Sequence, residues 1–310
     1  MYQDLRVIDF HAHFPTSTPW FGRPQPKLER SPEAEQAVKA YAEALRREWR
    51  LAWDFPEPET QVRSDEEQAE RWAGEIERYG LDSVVFVTGG GNDNLARIVS
   101  WYPDKFIGFA HHSPFEESAA EELGRAVTEL GMKGYKILAP ALEQPIDDRA
   151  AYPVWEKAVE LGIPVLVHFG ILGGGGGLAW HVNMDPLRLH NVARDFPTVP
   201  FVIPHFGCGY LRETLHLCWA CGNVHIDTSG SNQWIRWMPG DLTVKQLFRK
   251  YLETIGPERI IFGSDSSWFP RGFAIRYLQD QIRDCRELGL TDAQLQAIFG
   301  GNAARLLGLA

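Results

Sequence analysis

Two histidines one residue apart end the first apolar run of the sequence, VIDFHAHF. Alternate residues of a β-strand point to the same side, so we expect His11 and His13 to project together. Phe10, Ala12 and Phe14 should then face the opposite side. Two imidazoles on one side of a strand end suit the chelation of a transition metal ion, although an H-x-H pair by itself is equally consistent with two surface histidines.

Three later apolar runs also carry, at their ends, a side chain that could bind a metal ion or transfer a proton. VLVHF contains His168, VIPHF contains His205 and IIFGSD ends at Asp265. The chain has ten histidines, and random placement would rarely put them at the ends of so many apolar runs. The sequence therefore predicts a metal centre assembled from the ends of several strands.

Eight short runs rich in Val, Ile and Phe recur with helical patterns between them: RVIDF, DSVVFVT, KFIGFAHH, KGYKIL, IPVLVHF, PFVIPHF, NVHIDTSG and RIIFGSD. They are near-continuously apolar, as in parallel strands covered by helices on the outside and filled by side chains on the inside. This pattern predicts the α/β class and a (β/α)8 TIM barrel, in which active sites lie at the carboxyl ends of the strands. A doubly wound sheet is the alternative, but the sequence has neither a G-x-G-x-x-G fingerprint after its first strand nor a G-x-x-x-x-G-K-[ST] loop.

We predict one domain over residues 1–310, with a helical insertion at about residues 15–80. The insertion separates the first two strands and contains two helical patterns and the segment STPWFGRPQPKLER. Ser31, Pro32 and Glu33 are typical of a helix start. A loop this long is usually functional, and in a barrel it follows the carboxyl end of a strand, so we interpret it as a lid or a subunit contact.

The composition is that of a soluble globular protein, with 44% hydrophobic and 23% charged residues. The formal net charge of −10 disfavours nucleic acid and anionic membrane surfaces as partners, because both require a basic surface. The first residues, MYQDLRVIDF, contain no apolar segment suited to export, and no stretch approaches the roughly 20 apolar residues of a membrane span. We therefore expect a cytoplasmic protein.

The four cysteines are too few for a disulfide scaffold, and we expect Cys208, Cys218, Cys221 and Cys285 to be reduced. Cys218 and Cys221 form a C-x-x-C pair, which could be a redox pair or half of a zinc site. No second cysteine pair accompanies it, and it falls inside a helical pattern rather than at a helix start. We interpret both as small buried residues.

The strand-end motifs resemble those of the amidohydrolase superfamily. DFHAHF resembles its first-strand motif, VHFG its fifth-strand histidine, IPHFG its sixth-strand histidine and FGSD its eighth-strand aspartate. The closing NAARLLGL is similar to the C-terminal helix of the family. Within the superfamily the chain resembles, over essentially its whole length, the amidohydrolase-related group that includes the aminocarboxymuconate-semialdehyde and resorcylate decarboxylases.

Carried over by position, the resemblance implies one divalent ion, Zn or Mn, bound by His11, His13, His168 and Asp265. His205 would be the catalytic histidine, and Asp265 would also accept a proton from water. Such a cation lowers the pKa of a bound water from about 16 to about 7, which provides a nucleophile at neutral pH. His205, near the ion but not bound to it, could polarise a carbonyl and pass on a proton.

Lys136, in KGYKIL, lies near the position where the binuclear branches of the superfamily carry a carboxylated lysine. In the mononuclear group a lysine near this position is commonly not a ligand. We therefore favour a structural or substrate-contacting ammonium at Lys136.

The same ligands could support two reactions. Water attacking an amide, ester or lactone carbonyl would make the protein a hydrolase, whereas protonation of an aromatic or enolic carbon with loss of CO2 would make it a nonoxidative decarboxylase. Decarboxylases of the family usually have proline after the fifth-strand histidine, but Phe169 and Gly170 follow His168 here. We therefore predict a metal-dependent hydrolase, with a decarboxylase as the first alternative. A catalytically silent barrel that keeps its metal only for folding or partner binding is the second.

Aromatic and basic residues after the first, seventh and eighth strands are candidates for substrate contact, because aromatic walls with a few cations suit a planar or carboxylated molecule. Together with Lys136 they are Trp20, Phe21, Arg23, Trp234, Arg236, Trp237, Trp268, Phe269 and Arg271. The expected partner is a small-molecule substrate, and the resemblance to the decarboxylase members adds a homodimer as a possible assembly.

Other positions allow two interpretations each. Asp227, at the end of the seventh strand, could orient a neighbouring group or anchor the backbone of TSG. One of His111 and His112 could point inward as a substrate group, or both could be hydrogen-bonded core residues. The glycine run 173–177 could close on an anion but better fits a mobile or closely packed loop, and His181 beyond it fits a solvated loop residue.

Overall fold

The structure is a computed structural model that describes residues 2, 4–18, 29–171 and 181–309. Within them lie eight strands: β1 (Ile8–His13), β2 (Ser83–Thr88), β3 (Phe106–Gly108), β4 (Tyr135–Leu138), β5 (Val165–His168), β6 (Phe201–Ile203), β7 (Val224–Asp227) and β8 (Ile260–Ile261). The helices are α1 (Pro32–Trp53), α2 (Asp65–Tyr79), α3 (Asn92–Trp101), α4 (Ala119–Thr128), α5 (Tyr152–Leu161), α6 (His190–Asp195), α7 (Leu211–Ala220), α8 (Val244–Ile255), α9 (Ile275–Glu287), α10 (Asp292–Gln296) and α11 (Asn302–Leu307). Each predicted apolar run overlaps one strand, so the eight predicted strands are confirmed.

The strands are parallel and close into a barrel in chain order. Hydrogen-bonded pairing joins β1, β2 and β3 in one sheet and β4 to β8 in a second. Single bridges between Ala110 and Tyr135 and between Ala12 and Ser266 join the two sheets on both sides. The circle is thereby complete, and the predicted (β/α)8 barrel is confirmed.

Two layers of apolar side chains fix the strands. One buried cluster draws on six strands, and because distant strands meet only across a barrel, it is the interior packing. Its members are Ile8, Phe10, Val85, Val87, Ile107, Phe109, Leu166, Val202 and Ile261, with Ala303, Ala304 and Leu307 from α11. A larger cluster lies between the strands and the surrounding helices. Burial of both layers from water holds the strand ends at fixed positions relative to one another.

The alternation predicted for β1 is only partly correct. Ala12 packs in the outer cluster as expected, but Phe10 packs in the interior cluster. The pairing register against β2 shifts between Asp9 and Ala12 and again before His13. Because such an irregularity interrupts the strict two-residue repeat of a strand, Phe10 faces the barrel interior although Ala12 faces outward.

The segment between β1 and β2 contains both predicted helices. Ser31 Oγ caps α1 by accepting a hydrogen bond from Ala34 N at 3.2 Å. α2 packs on the barrel through buried side chains, whereas α1 has no buried residue. Near its end, Trp49 Nε1 donates to Ser231 Oγ, which follows β7, at 3.0 Å. The insertion therefore contacts the segments beyond the carboxyl ends of the strands.

The described cysteines are free thiols. Cys218 lies in α7 and Cys221 directly follows it, and both are buried. Burial raises the pKa of both thiols, that of Cys218 to about 12. These properties fit small buried residues rather than a reactive pair.

The longest described helix, α1, has 22 residues and several charges. None of the helices in the described ranges is both long and apolar enough to cross a bilayer.

Candidate metal centre

His11, His13 and Asp265 lie together where β1 ends and the chain leaves β8. Oδ1 of Asp265 is 3.2 Å from His13 Nε2 and 4.0 Å from His11 Nε2. One potential ligand atom from each of the three residues lies within 4.8 Å of the other two. Asp265 N donates to the His11 carbonyl at 2.7 Å, which fixes the two segments against each other. Two imidazole nitrogens and a carboxylate oxygen at this spacing form a donor set for a divalent transition metal ion.

The orientation of His11 leaves one nitrogen free for such an ion. Its Nδ1 is 2.9 Å from Asp227 Oδ2, and since an ionised carboxylate only accepts hydrogen bonds, Nδ1 carries the proton. Its Nε2 therefore has a lone pair, yet it is buried and has no hydrogen-bond partner among the described residues. A buried nitrogen without a partner is costly, and a cation bound there would satisfy it. On this observation the residues fit a divalent metal ion.

His13 is oriented by a residue from the neighbouring strand. Its Nδ1 is 2.6 Å from Oγ1 of Thr88, the last residue of β2. This hydrogen bond holds the ring so that Nε2 faces Asp265.

Asp227, at the end of β7, joins His11 and His205 in one hydrogen-bond network. While Oδ2 accepts from His11, Oδ1 accepts from the backbone N–H of His205 at 3.1 Å and that of Ser229 at 2.9 Å. The Ser229 hydroxyl also hydrogen-bonds to Oδ1. Of the two interpretations that the sequence allowed for Asp227, the structure shows both: it orients a neighbouring ring and anchors the TSG backbone.

Ser229 fixes the ring of His205. His205 Nδ1 is 2.8 Å from Ser229 Oγ and 3.1 Å from the Ser229 carbonyl, which can only accept. Nδ1 therefore carries the proton, and Nε2 is left as a proton acceptor. The ring centroid of His205 lies 5.0 Å from that of His11 and 5.0 Å from that of His168.

The charges of the site suit a cation. Burial, followed by the charge of Lys136, lowers the pKa of His11 to about 3, and burial together with nearby cationic groups holds the pKa of His168 well below its usual value. Burial opposes ionisation of Asp265, but the hydrogen bond with His13 and the charge of His205 outweigh it, so the pKa of Asp265 is well below its ordinary value. At neutral pH His11 and His168 are therefore neutral and Asp265 is ionised, the forms in which these groups bind metals.

His168, the fourth predicted ligand, is adjacent to this cluster but not part of it. Its Nε2 is 3.3 Å from the Ile171 carbonyl and donates to it. The Sγ atom of Cys208 lies 3.2 Å from the same carbonyl oxygen. The structure thus brings together three of the four predicted ligands and turns Nε2 of the fourth towards the chain that follows β5.

Two site residues have left-handed backbone conformations. The φ angles of His205 and Asp265 are both 57°. Asp and His adopt this region more readily than most residues other than Gly and Asn. Between them, Gly230 has a φ of 76°, and a Cβ placed on it would lie 3.4 Å from both His205 Nδ1 and Asp265 Oδ2. The two side chains therefore border the same small space.

A buried carboxylate that sequence reasoning missed supports the base of the site. Asp9 accepts hydrogen bonds from the backbone N–H groups of Ser264 at 2.8 Å and His11 at 3.2 Å, and Ser264 Oγ donates to its other oxygen at 2.5 Å. Burial raises the pKa of Asp9 to about 7, despite these hydrogen bonds. Asp9 thus ties β1 to the segment that carries Asp265. A polar residue inside the apolar run VIDF was the available signal.

Lys136 lies inside the barrel. It is 4% exposed and lines a cavity of about 260 Å³ at the ends of β3 and β4. Burial lowers its pKa to about 8, although the charges of Asp227 and Asp265 act in the opposite direction. The structure therefore provides a buried amine that is electrostatically coupled to the metal centre.

The other predicted contacts occupy different environments. Trp234 is buried, and its Nε1 donates to the His205 carbonyl at 3.2 Å, so it holds the backbone of His205. Arg271 Nη2 donates to the Asp265 carbonyl at 3.1 Å, with its guanidinium 4.9 Å from the ring centroid of Trp268. Arg236 lies on the surface, 4.0 Å from a glutamate of α1.

The remaining predicted contacts do not line the metal centre directly or lie outside the described ranges. Trp237 is largely exposed, and Phe269 is buried beneath the Arg71 guanidinium, 3.9 Å from its ring centroid. The predicted contacts Trp20, Phe21 and Arg23 and the glycine run 173–177 lie outside the described residues.

The histidines that end the third predicted strand are hydrogen-bonded core residues. His111 Nε2 accepts from Gly91 N at 2.9 Å, and its Nδ1 donates to the Phe109 carbonyl at 3.1 Å. His112 Nε2 donates to the Ala119 carbonyl at 2.9 Å. His181 is exposed and begins a short 3₁₀ turn. Both histidines are therefore hydrogen-bonded core residues, and both also line the cavity that contains Lys136.

Comparison with known proteins gives one family. A family model described as Amidohydrolase matches residues 8–309, which include every described strand and helix. The match covers the metal centre as well as the barrel.

Two curated relatives have different activities. The chain is 28% identical over 251 residues to 2-keto-4-carboxy-3-hexenedioate hydratase of Sphingobium sp., with 69% of each protein covered. It is 35% identical over 245 residues to 2-amino-3-carboxymuconate-6-semialdehyde decarboxylase of Dictyostelium discoideum, with 70% of the chain and 65% of the relative covered. The matched part is therefore about two thirds of each relative.

A solved structure supports the fold. The 5-carboxyvanillate decarboxylase of Novosphingobium aromaticivorans, complexed with manganese and 4-hydroxy-3-methoxy-5-nitrobenzoic acid, superposes with a TM-score of 0.64 at 17% identity. The superposition covers 99% of this chain and 97% of the other. At this identity the likeness establishes the barrel.

Proposed function

The chain belongs to the amidohydrolase family, and on that premise we propose that it is a metal-dependent hydrolase of a carbonyl group in a small, carboxylated substrate. His11, His13 and Asp265 would hold the metal ion, and His168 would join them by giving up its hydrogen bond to Ile171. When bound, the cation would be a Lewis acid that lowers the pKa of water and polarises the substrate carbonyl. Zinc fits the imidazole-rich donor set, and the manganese in the decarboxylase complex makes manganese the other candidate.

Asp265 is the proposed first acceptor of the proton lost by water. It is ionised at neutral pH because the nearby histidines hold its pKa low. Oδ1 contacts His13, whereas Oδ2 lies beside Gly230, which also borders the Nδ1 side of the His205 ring. A carboxylate in this position can bind the ion and accept a proton on different oxygens.

His205 is the proposed proton carrier. Its Nδ1–H is committed to Ser229, so proton exchange with the substrate must use Nε2. His205 can take the proton held by Asp265 on Nε2 and deliver it to the leaving group. Ser229 and Asp227 keep the ring in that tautomer by hydrogen bonding.

The observation that carries the proposal is the unpartnered Nε2 of His11 next to Asp265. This pair of residues supports a mechanism in which a metal ion is the electrophile and the Asp265 carboxylate beside it is the base. Phe169 after His168, where the decarboxylases of the family usually have proline, favours hydrolysis over decarboxylation.

An isotope experiment tests the reaction type. Zinc- and manganese-loaded enzyme is incubated with panels of lactones, amides, esters and hydroxybenzoates in water enriched in ¹⁸O, and the products are analysed by mass spectrometry. Hydrolysis predicts one ¹⁸O in a product carboxylate and no release of CO2. Release of CO2 without ¹⁸O in the organic product, or addition of labelled water without cleavage, overturns the proposal.

A lyase reaction is the second candidate, because the 35% identical Dictyostelium relative is a decarboxylase and the Sphingobium relative is a hydratase. In a decarboxylation His205 would deliver a proton to carbon as CO2 leaves. In a hydration Asp265 would take a proton from the water whose oxygen adds to one carbon of a double bond, and His205 would pass a proton to the other carbon. The isotope experiment distinguishes both from hydrolysis.

A further inference from the structure

We infer that the cavity at the ends of β3 and β4 is a subsite for a carboxylate group of the substrate, with the ammonium of Lys136 as the group that binds it. The inference rests on the proposed function only for the position of the reacting group, which lies at the metal centre. The anion site itself follows from the placement of Lys136.

The side chain of Lys136 points into the barrel. Its neighbours Tyr135 and Ile137 both pack in the outer cluster, and alternate residues of a strand face opposite sides. Its charge acts on His11 and His168, so the ammonium is on the side of the interior where the metal centre lies. The residues of the metal centre do not line the cavity themselves, so the substrate would extend from the cavity to the metal centre.

The ammonium has no fixed partner. Within the described ranges, no hydrogen bond or ion pair involves Lys136 Nζ. Asp227 and Asp265, the carboxylates whose charges act on it, are not within ion-pair distance and are engaged by histidines. A buried charge without a partner is unfavourable, so a lysine retained here is best explained by an anion that arrives from solution.

The cavity defines the class of anion. Its volume of about 260 Å³ suits a small molecule, and Phe115, Leu138 and Leu142 give it an apolar wall. Ser113 and Gln144 add neutral polar groups, while the acidic Glu143 makes a dianion unfavourable. Among the lining residues Lys136 is the one lysine or arginine, and a single ammonium matches a carboxylate better than a phosphate, which would require more donors.

The test compares benzoate with benzamide, which have nearly the same shape but differ in charge. Binding of each is measured by calorimetric titration to the wild type, Lys136→Met and Lys133→Met, in metal-loaded and chelator-treated protein. Lys133 is the matched control because it is exposed and precedes the same strand. We expect Lys136→Met to weaken benzoate binding at least tenfold in both metal states, with benzamide binding unchanged and Lys133→Met like the wild type.

Thermal unfolding separates binding from folding. Without ligand, Lys136→Met should raise Tm by a few degrees because it removes an unpaired buried charge, and benzoate should no longer raise Tm further. Equal binding of benzoate and benzamide, benzoate binding that is unchanged in Lys136→Met, or a lower Tm of the variant would each overturn the inference. Since no turnover is measured, the outcome is independent of whether the reaction is hydrolysis.

Discussion

The Nδ1 atom of His11 lies 2.9 Å from Oδ2 of Asp227, and this contact determines which nitrogen of His11 can bind a metal ion. Asp227, on β7, thus orients the proposed ligand His11, on β1, although it is not itself a proposed ligand. Partners of this kind raise the basicity of the imidazole and fix its tautomer.

Asp227→Asn should weaken metal binding by about 10- to 100-fold, because an amide can donate to Nδ1 and shift the proton to Nε2. The measurement is competition for zinc against a chromophoric chelator. Asp241→Asn, at an exposed position, is the control and should bind like the wild type. Unchanged zinc affinity in folded Asp227→Asn would contradict the role of this contact.

His11→Ala and Asp265→Ala should each lower the bound metal from about one ion per chain to less than a tenth, because each removes a donor from a small set. Elemental analysis of protein dialysed against metal-free buffer measures this. The matched control is His216→Ala, an exposed histidine of α7, which should keep its ion. Full metal content in either ligand variant would refute the proposed donor set.

His205→Ala should retain the metal ion but lose at least about 100-fold in kcat, because it removes proton transfer and not a ligand. kcat and KM are measured with whichever substrate the isotope experiment finds, and metal content is determined on the same sample. His190→Ala serves as the control. Intact turnover in the His205 variant would show that the proton takes another route.

Relative to Lys136→Met, the chelator-treated wild type should gain stability between about pH 8 and pH 10.5. The pKa of Lys136 is about 8 in the folded protein and 10.5 for an ordinary lysine, so in this window the unfolded chain binds the proton and the folded chain does not. The gain, about 3 kcal/mol, is complete above about pH 10.5 and is lost progressively as pH falls from there to about 8. Urea unfolding of both proteins across the window measures it as a growing difference between their free energies of unfolding. Parallel curves for the two proteins would exclude a lowered pKa for Lys136.

The barrel fold and the residues at the ends of its strands could be predicted from the sequence because both depend on regular patterns. Apolar runs bounded by helical segments identify parallel strands, and parallel strands of a barrel end on one face. His11, His13 and Asp265 could therefore be grouped although more than 250 positions separate Asp265 from the other two.

Positions that depend on irregular backbone could not be inferred in this way. The inward placement of Phe10 follows from a register shift in β1, and no residue type in the sequence indicates that shift. His168 donates to Ile171 because the chain turns back just after β5. Trp234 was expected beside a substrate but packs behind His205, since a tryptophan after a strand suits a wall and a core equally well.

The left-handed backbone at Asp265 and His205 restricts how this scaffold can be re-engineered for another metal or reaction. Asn keeps the local geometry at either position, whereas Glu, although it offers the same carboxylate as Asp, fits that conformation poorly and reaches further. A library intended to change metal preference should therefore vary His13, Thr88 and Lys136, which lie on strands, and keep short, turn-tolerant side chains at the other two positions.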